Sequence, residues 1–166
     1  MLIDFQSRLM PSIENGAAVV ANARRLLTAA AMFEVPALIT EENPAGLGGT
    51  LPELAAEGTP IFCKMSFDAC RMPGFAAALP DRPDLVVAGC ETHVCVLQTV
   101  LGLIGAGHRV YAVRDAMGSR RSENKEQALR RMERNGAEIV TTEMVLFEWL
   151  GTAEDQHLRR VIDLIR

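Results

Sequence analysis

Three side chains with complementary chemistry follow three different apolar runs of the sequence: Asp4, Lys64 and Cys95. A free thiol has a pKa near ~8.5, so it is mostly protonated at neutral pH and needs activation before it can act as a nucleophile. Cys95 falls in the first turn of a predicted helix, where the helix dipole favours a thiolate. Lys64 adds a cation, and Asp4 could accept the thiol proton and return it to a leaving group. The trio predicts nucleophilic catalysis through sulfur.

Further groups are expected to surround this trio. The backbone amides around Glu91 to Cys95 could supply an oxyanion hole. Arg120 lies close enough to the same rim to contact a carboxylate on a substrate. The predicted substrate pocket consists of Phe5, Glu41, Leu47, Phe67, His93 and Arg120.

Each of these residues also has a simpler interpretation. A lone cysteine is usually a small buried hydrophobic residue, Asp4 could cap a loop, and Lys64 could be a solvated surface charge. His93 stands two residues before Cys95, so a Cys–His pair is conceivable, although a pocket-wall or capping role is the better prediction. It is the placement of three reactive groups past three different strands that favours a shared site.

Alternating short and long apolar patterns indicate the elements that must position these groups. Six apolar runs predict strands at 1–3, 35–40, 60–63, 85–89, 110–113 and 139–141. Helical spacing predicts helices at 17–33, 74–79, 92–106, 123–135, 144–150 and 155–165. Continuous apolar strands imply burial on both faces. We therefore predict one α/β domain over 1–166, with a doubly wound, mainly parallel six-stranded sheet and helices on both faces, a Rossmann-like three-layer sandwich. Ligands of such sheets bind beyond the carboxyl ends of the strands.

Composition and charge narrow the possible partners. The chain has 166 residues, 49% of them hydrophobic, and a formal net charge of −4. This charge argues against a dedicated nucleic-acid or anionic-membrane binder. The first residues lack the basic and apolar regions of a secretory signal, so a cytoplasmic location is expected. The four cysteines lack zinc-site spacing and are expected to be free thiols.

The same residues carry a resemblance to a known family. The segments Leu2-Ile-Asp-Phe-Gln6, Cys63-Lys-Met-Ser-Phe67 and Gly89-Cys-Glu-Thr-His-Val-Cys-Val96 resemble the three signature segments of the isochorismatase-like cysteine hydrolases. The similarity is closest to the subgroup of isochorismatase-domain-containing proteins. It extends to residues 42–53 and 115–120, and it runs from Leu2 to the last helix.

The resemblance implies a catalytic triad, with Cys95 as the nucleophile, Asp4 as general base and acid, and Lys64 as the cation that favours the thiolate. It also implies a cis peptide before the helix of the nucleophile, which by position is Cys90–Glu91. This bond would turn the Glu91 amide, together with that of Cys95, toward an oxyanion, so the resemblance implies these two amides as the oxyanion hole. Nicotinamidase relatives have an Asp-x-His-x-x-His metal site after the second strand, but residues 41–54 contain no histidine. No metal and no other cofactor are therefore expected, and nicotinamide is disfavoured as a substrate.

The predicted activity is hydrolysis of a C–N bond in a small molecule, an amide, ureide or similar group, through a thioester intermediate. The resemblance also implies a homo-oligomer, a dimer or larger, and the apolar stripe Leu158, Val161, Ile162 and Ile165 is compatible with an interface or with packing inside the chain. Two alternatives stay open. The chain could be a non-catalytic oligomeric scaffold, or a redox-sensing thiol protein with Cys90 as the resolving thiol.

Overall fold

The computed structural model describes residues 1–81 and 83–166, and its centre is a six-stranded sheet. The strands are β1 (Leu2–Ile3), β2 (Ile39–Glu42), β3 (Ile61–Lys64), β4 (Asp84–Cys90), β5 (Arg109–Gly118) and β6 (Glu138–Val140). Their order is β3-β2-β1-β4-β5-β6, and all pairs are parallel. The predicted doubly wound α/β fold is confirmed. The order of the strands reverses between β1 and β4, which is where such folds bind ligands.

Helices cover both faces of this sheet. They are α1 (Gly16–Met32), α2 (Pro44–Leu47), α3 (Phe75–Ala78), α4 (Leu97–Gly105), α5 (Ser122–Arg134), α6 (Thr142–Leu150) and α7 (Leu158–Ile165). One core cluster packs α1, α6 and α7 against one face of the sheet. A second cluster packs α3, α4 and α5 against the other face. Strand side chains alternate between the two clusters, because successive residues of a strand point to opposite faces.

Two elements differ from their sequence predictions for local reasons. The second strand begins at Ile39 rather than at residue 35, and the excluded segment contains Pro36, which has no N–H to donate to a strand ladder. The helix predicted over 92–106 begins as a π-helical turn, Thr92–Val96, and becomes α4 only at Leu97. π-Helical turns are rare in proteins overall, and those that occur are often at functional sites.

The terminal helix packs inside the chain. Val161 is fully buried in the first core cluster, and Leu158 and Ile165 pack against that cluster. The apolar stripe of α7 is therefore largely used for intrachain packing. Across the two described ranges, no helix is long and apolar enough to cross a membrane.

Gly89 allows β1 and β4 to approach each other at the point where the strand order reverses. A Cβ atom at this position would lie 2.5 Å from the Ile3 carbonyl oxygen and 2.7 Å from Ile3 Cβ. Both neighbours belong to the centre of the sheet, so neither can move without disturbing the pairing of Ile3 with Gly89.

We expect Gly89→Ala to destabilise the fold by about 3 kcal/mol or more, because overpacking of a rigid core forces backbone shifts. Urea unfolding measures the loss. Gly105→Ala is the matched control, since a Cβ there meets no atom within 4 Å. Equal stability of the two variants would contradict this account of Gly89.

Candidate active site

Asp4, Lys64 and Cys95 meet at the carboxyl edge of the sheet. Asp4 directly follows β1, Lys64 is the last residue of β3, and Cys95 lies in the π-helical turn after β4. Asp4 has a φ of 55°, in the left-handed region that Asp tolerates better than most residues. The site thus lies where the strand order reverses, as expected for this fold class.

The Lys64 ammonium lies between two carboxylates. Its Nζ donates to Asp4 Oδ2 at 2.8 Å and to Glu42 Oε2 at 2.9 Å. The other oxygen of Asp4, Oδ1, accepts a hydrogen bond from Thr40 Oγ1 at 2.6 Å. The side chains of Lys64 and Asp4 are both 0% exposed, so water does not weaken their attraction. These contacts orient the Asp4 carboxylate from both sides.

Glu42 was absent from the residues predicted for the site. It pairs in register with Lys64 across β2 and β3, which brings the two side chains together on one face. Gln6 holds the backbone of Glu42 at both ends: Gln6 Nε2 donates to the Glu42 carbonyl, and Gln6 Oε1 accepts from the Glu42 amide, each at 2.9 Å. In the sequence, only the Glu41-Glu42 pair at the end of a predicted strand pointed to Glu42. Choosing between the two glutamates requires the register of β2 against β3.

The Cys95 thiol lies beside these carboxylates. Its Sγ and one oxygen from each of Asp4 and Glu42 lie within 4.8 Å of one another, and the residue is 6% exposed. Burial raises the pKa of the Cys95 thiol, the Asp4 carboxylate raises it further, and Lys64 offsets only part of that rise. Burial and the adjacent carboxylate thus favour the neutral thiol, which opposes the effect of the helix dipole expected from the sequence.

For the pKa of Lys64, neighbouring charges outweigh burial. Burial lowers the pKa of this ammonium, but contacts with Asp4 and Glu42 more than compensate, and its pKa is raised overall. The ammonium is therefore charged throughout the neutral pH range.

The segment before the nucleophile candidate has the expected backbone form. The peptide bond between Cys90 and Glu91 is cis, as the resemblance predicted. Among the described residues, the Glu91 amide donates no hydrogen bond. The Glu91 side chain instead holds Arg120, whose Nε lies 2.9 Å from Glu91 Oε1.

Two of the predicted pocket residues do not face the Cys95 side of the sheet. Phe5 is fully buried in the first core cluster, whereas Cys95 belongs to the second. Glu41 pairs with Cys63, one position out of phase with Glu42 and Lys64, so it points to the opposite face. Its Oε1 accepts from the amide and the hydroxyl of Thr50, each at 2.7 Å. Period-two alternation explains the placement of Glu41. Phe5 lies beyond the end of β1 and follows Asp4, whose left-handed φ of 55° breaks the alternation.

The other four predicted pocket residues lie on the surrounding turns. Leu47 is half-buried at the end of α2, and Phe67 is half-exposed after β3. His93 is half-buried, and its Nδ1 lies 3.0 Å from Ser119 Oγ rather than on the Cys95 thiol. The side chain of Arg120 is 62% exposed beside Glu91. A Cys95–His93 pair is therefore not formed.

The four cysteines are free and occupy different environments. Cys90 lies in the first core cluster and Cys95 in the second, on opposite faces of the sheet. Cys63 is exposed, and Cys70 is half-buried in a short 3₁₀ helix, Ala69–Arg71. The sheet therefore separates Cys95 from Cys90, the resolving thiol of the redox alternative.

Among the described residues, one group of side chains could hold a metal ion, and this group lies in the same site. Asp4, Glu42 and Cys95 could each contribute one atom to an ion. The Lys64 ammonium already binds both carboxylates, at 2.8 and 2.9 Å. A metal ion would have to displace this resident cation.

A separate cavity of about 630 Å³ opens at the amino ends of the strands. Its lining is mainly apolar and includes Leu26, Leu85, Tyr111 and Trp149. Among the described residues, its lining shares none with the cluster around Lys64 and contains no cysteine or serine. The thiol, carboxylates and ammonium that meet at the carboxyl edge of the sheet thus lie outside this cavity.

The sequence matches a known family model over most of its length. The model of the isochorismatase domain matches residues 1–144. Isochorismatase domain-containing protein 2 of Xenopus laevis is 36% identical over 166 residues, which is 99% of this chain and 81% of the relative. The expected likeness to this subgroup is thus confirmed.

Solved structures agree with the fold. A structure described as the MAR1 ribonuclease of Caenorhabditis elegans has a TM-score of 0.94 and 34% identity, covering 99% of this chain and 86% of the other. YcaC from Escherichia coli, described as an octameric hydrolase of unknown specificity, has a TM-score of 0.86 and 25% identity, covering 99% and 89%.

Proposed function

Because the chain belongs to the isochorismatase domain family, we propose that it is a cysteine hydrolase of small molecules that cleaves an amide, ureide or similar C–N bond. The observation that carries this proposal is the meeting of a thiol, a carboxylate and an ammonium within one buried cluster at the carboxyl edge of the sheet. These groups come from segments that are distant in the sequence, and each has a role in acyl transfer.

In the first half of the reaction, Cys95 Sγ attacks the carbonyl carbon while its proton passes to Asp4. The amides of Glu91 and Cys95 stabilise the oxyanion. Asp4 then gives the proton to the nitrogen, the C–N bond breaks, and ammonia or an amine leaves. The product on the enzyme is a thioester at Cys95.

In the second half, water attacks the thioester carbon and transfers a proton through Asp4. The C–S bond breaks, the carboxylic acid leaves, and the Cys95 thiol is restored. The raised pKa of Cys95 fits this scheme, because the thiol is deprotonated by Asp4 during attack instead of resting as a thiolate. Lys64 orients Asp4 and lowers the cost of negative charge on sulfur.

The test is a screen of small amides, ureides and nitriles with mass detection, followed by rapid acid quench of the active compound. The expected result is an adduct on the peptide that contains Cys95, with the mass of the acyl group. Turnover without an adduct at Cys95, or turnover retained in Cys95→Ala, would refute the proposal.

Replacing Asp4 by asparagine tests the role of this carboxylate as the proton acceptor. We expect turnover to fall by about 10²–10⁴-fold, since the proton acceptor is lost. Alkylation of Cys95 by iodoacetamide at pH 7 should also become slower, because the thiol loses the group that accepts its proton during attack. Both rates are measured by mass spectrometry.

The control for this variant is Asp163→Asn, which neutralises an exposed carboxylate on α7. Both of its rates should equal those of the unmodified protein. Unchanged or faster alkylation in Asp4→Asn, or unchanged turnover, would contradict the role given to Asp4.

RNA cleavage is a second candidate, since the Caenorhabditis elegans relative is described as a ribonuclease. The net charge of −4 disfavours binding to a polyanion. A fluorescent RNA oligonucleotide distinguishes the two functions: we expect cleavage no faster than with Cys95→Ala. Cleavage that depends on Cys95 would favour the ribonuclease function.

The non-catalytic and redox alternatives make different predictions. A scaffold forms no covalent intermediate at Cys95. A peroxide sensor that uses Cys90 would need a disulfide between residues on opposite faces of the sheet, so the placement of Cys90 disfavours it.

We also propose that the chain forms a homo-oligomer. The octameric state described for YcaC supports this. Exposed apolar side chains at Ile61, Met65 and Phe67 lie on and after β3, at the edge of the sheet beside Lys64. Light scattering of the purified chain measures its oligomeric state.

A further inference from the structure

We propose that Glu42 is a specificity-determining residue, which selects substrates with an N–H group on the reacting carbon and rejects those with a carboxylate there. This inference rests on the proposed function of Cys95 and names its substrate class: neutral amides and ureides, in preference to carbonyl compounds with an adjacent carboxylate.

The first argument is an open acceptor. Glu42 Oε2 binds Lys64 at 2.9 Å, but Oε1 accepts no hydrogen bond from the described residues. The Glu42 side chain is only 9% exposed, yet no described buried side-chain oxygen or nitrogen is left without a partner. Oε1 must therefore reach solvent. A nearly buried carboxylate with one free oxygen beside a thiol is suited to bind a substrate N–H.

The second argument is position. A carboxylate oxygen of Glu42 lies within 4.8 Å of Cys95 Sγ. The backbone at Glu42 is held by both polar atoms of the Gln6 side chain, and Gln6 is itself fully buried. Glu42 therefore cannot easily withdraw from a substrate that is bound to the thiol.

The third argument is charge. Two buried carboxylates, Asp4 and Glu42, share the single ammonium of Lys64. The next cation along the rim, Arg120, is paired with Glu91. The groups around Cys95 thus carry one surplus negative charge, which repels a carboxylate and attracts N–H donors.

A pair of alkylating reagents measures this preference without a known substrate. Iodoacetamide and iodoacetate have nearly the same shape and differ in carrying an amide or a carboxylate. In each reaction the Cys95 S–C bond forms, the C–I bond breaks, iodide leaves, and the thiol proton passes to Asp4 or water. The readout is the ratio of the two rate constants at the Cys95 peptide, divided by the same ratio for N-acetylcysteine.

We expect this normalised ratio to exceed one by at least about tenfold in the unmodified protein. In Glu42→Gln, which keeps the shape and removes the charge, it should fall to near one. A role limited to holding Lys64 would change both rates by the same factor and leave the ratio unmoved. Glu138→Gln is the matched control, because this exposed glutamate at the start of β6 lies outside the site.

A normalised ratio near one in the unmodified protein, or an equal ratio in Glu42→Gln, would overturn the inference. The first comparison needs no variant, so the inference stays falsifiable even if Glu42→Gln fails to fold. The proposed function has its own readout, the acyl adduct at Cys95. An adduct with an unselective ratio refutes only the role of Glu42, whereas loss of the adduct refutes the hydrolase mechanism.

Discussion

Replacing Cys95 by alanine is expected to lower turnover of any cleaved amide by at least about 10⁴-fold, because no other group can form the thioester. The described residues offer no substitute nucleophile at this position: Cys90 is behind the sheet, and Ser119 is 1% exposed. The fold should survive, since the exchange removes one buried sulfur atom and costs about 1 kcal/mol. Initial rates and urea unfolding of the same preparation test both statements.

Cys70→Ala provides the comparison for Cys95→Ala. Burial and the neighbouring Asp68 raise the pKa of the Cys70 thiol to about 12. The residue lies in the short 3₁₀ helix before α3, not among the residues around Lys64. We expect full activity in this variant. If Cys95→Ala kept more than about one-tenth of the activity, the chemistry would have to be assigned to another residue.

Replacing Lys64 by methionine is expected to destabilise the fold by about 3–5 kcal/mol, because two buried carboxylates lose their shared counter-ion. The Asp4 side chain is 0% exposed and that of Glu42 is 9% exposed, so water cannot replace the ammonium easily. Urea unfolding at pH 7 measures the loss. Turnover should fall as well, since Asp4 loses its orientation and the Cys95 pKa rises further without this cation.

The pH dependence of this contribution follows from the sign of the Lys64 shift. Its pKa in the folded protein is raised from 10.5. The stabilisation by this ammonium is therefore fully present below the unfolded value and is lost as the pH rises through the folded value. The difference between the unmodified protein and Lys64→Met should be constant from pH 7 to about pH 10 and shrink above it.

Lys125→Met is the matched control, because Lys125 is the other lysine of the chain. Burial lowers its pKa, so its charge is disfavoured by folding, and its removal should cost little or nothing. Equal destabilisation in the two variants would show that lost aliphatic packing, rather than lost charge, explains the effect at Lys64.

Much of the architecture was predictable from local patterns. Continuous apolar runs such as Leu85–Gly89 are typical of strands buried on both faces, and their alternation with helical spacing predicts a parallel, doubly wound sheet. Reactive residues at the ends of these runs must converge, because parallel strands end at one edge. For this reason Asp4, Lys64 and Cys95 could be identified as neighbours before any coordinates were considered.

These local patterns do not show which face of the sheet a given side chain points to. Glu41 and Glu42 are adjacent and chemically equal, but pairing with Cys63 and Lys64 sends them to opposite faces. A shift of one residue in the register would exchange them. Phe5 was assigned to the pocket but lies in the core, because the left-handed backbone at Asp4 breaks the alternation that begins in β1.

The direction of the Cys95 pKa shift also depends on long-range packing. The sequence placed this residue at a helix start, where a dipole favours the thiolate, but it carries no information on how many neighbours remove water from the sulfur. Burial and the nearby Asp4 carboxylate raise the thiol pKa more than Lys64 lowers it. Local patterns thus specify elements and their ends, because these depend on neighbours along the chain, whereas hydration and charge at a buried atom depend on residues that only folding brings together.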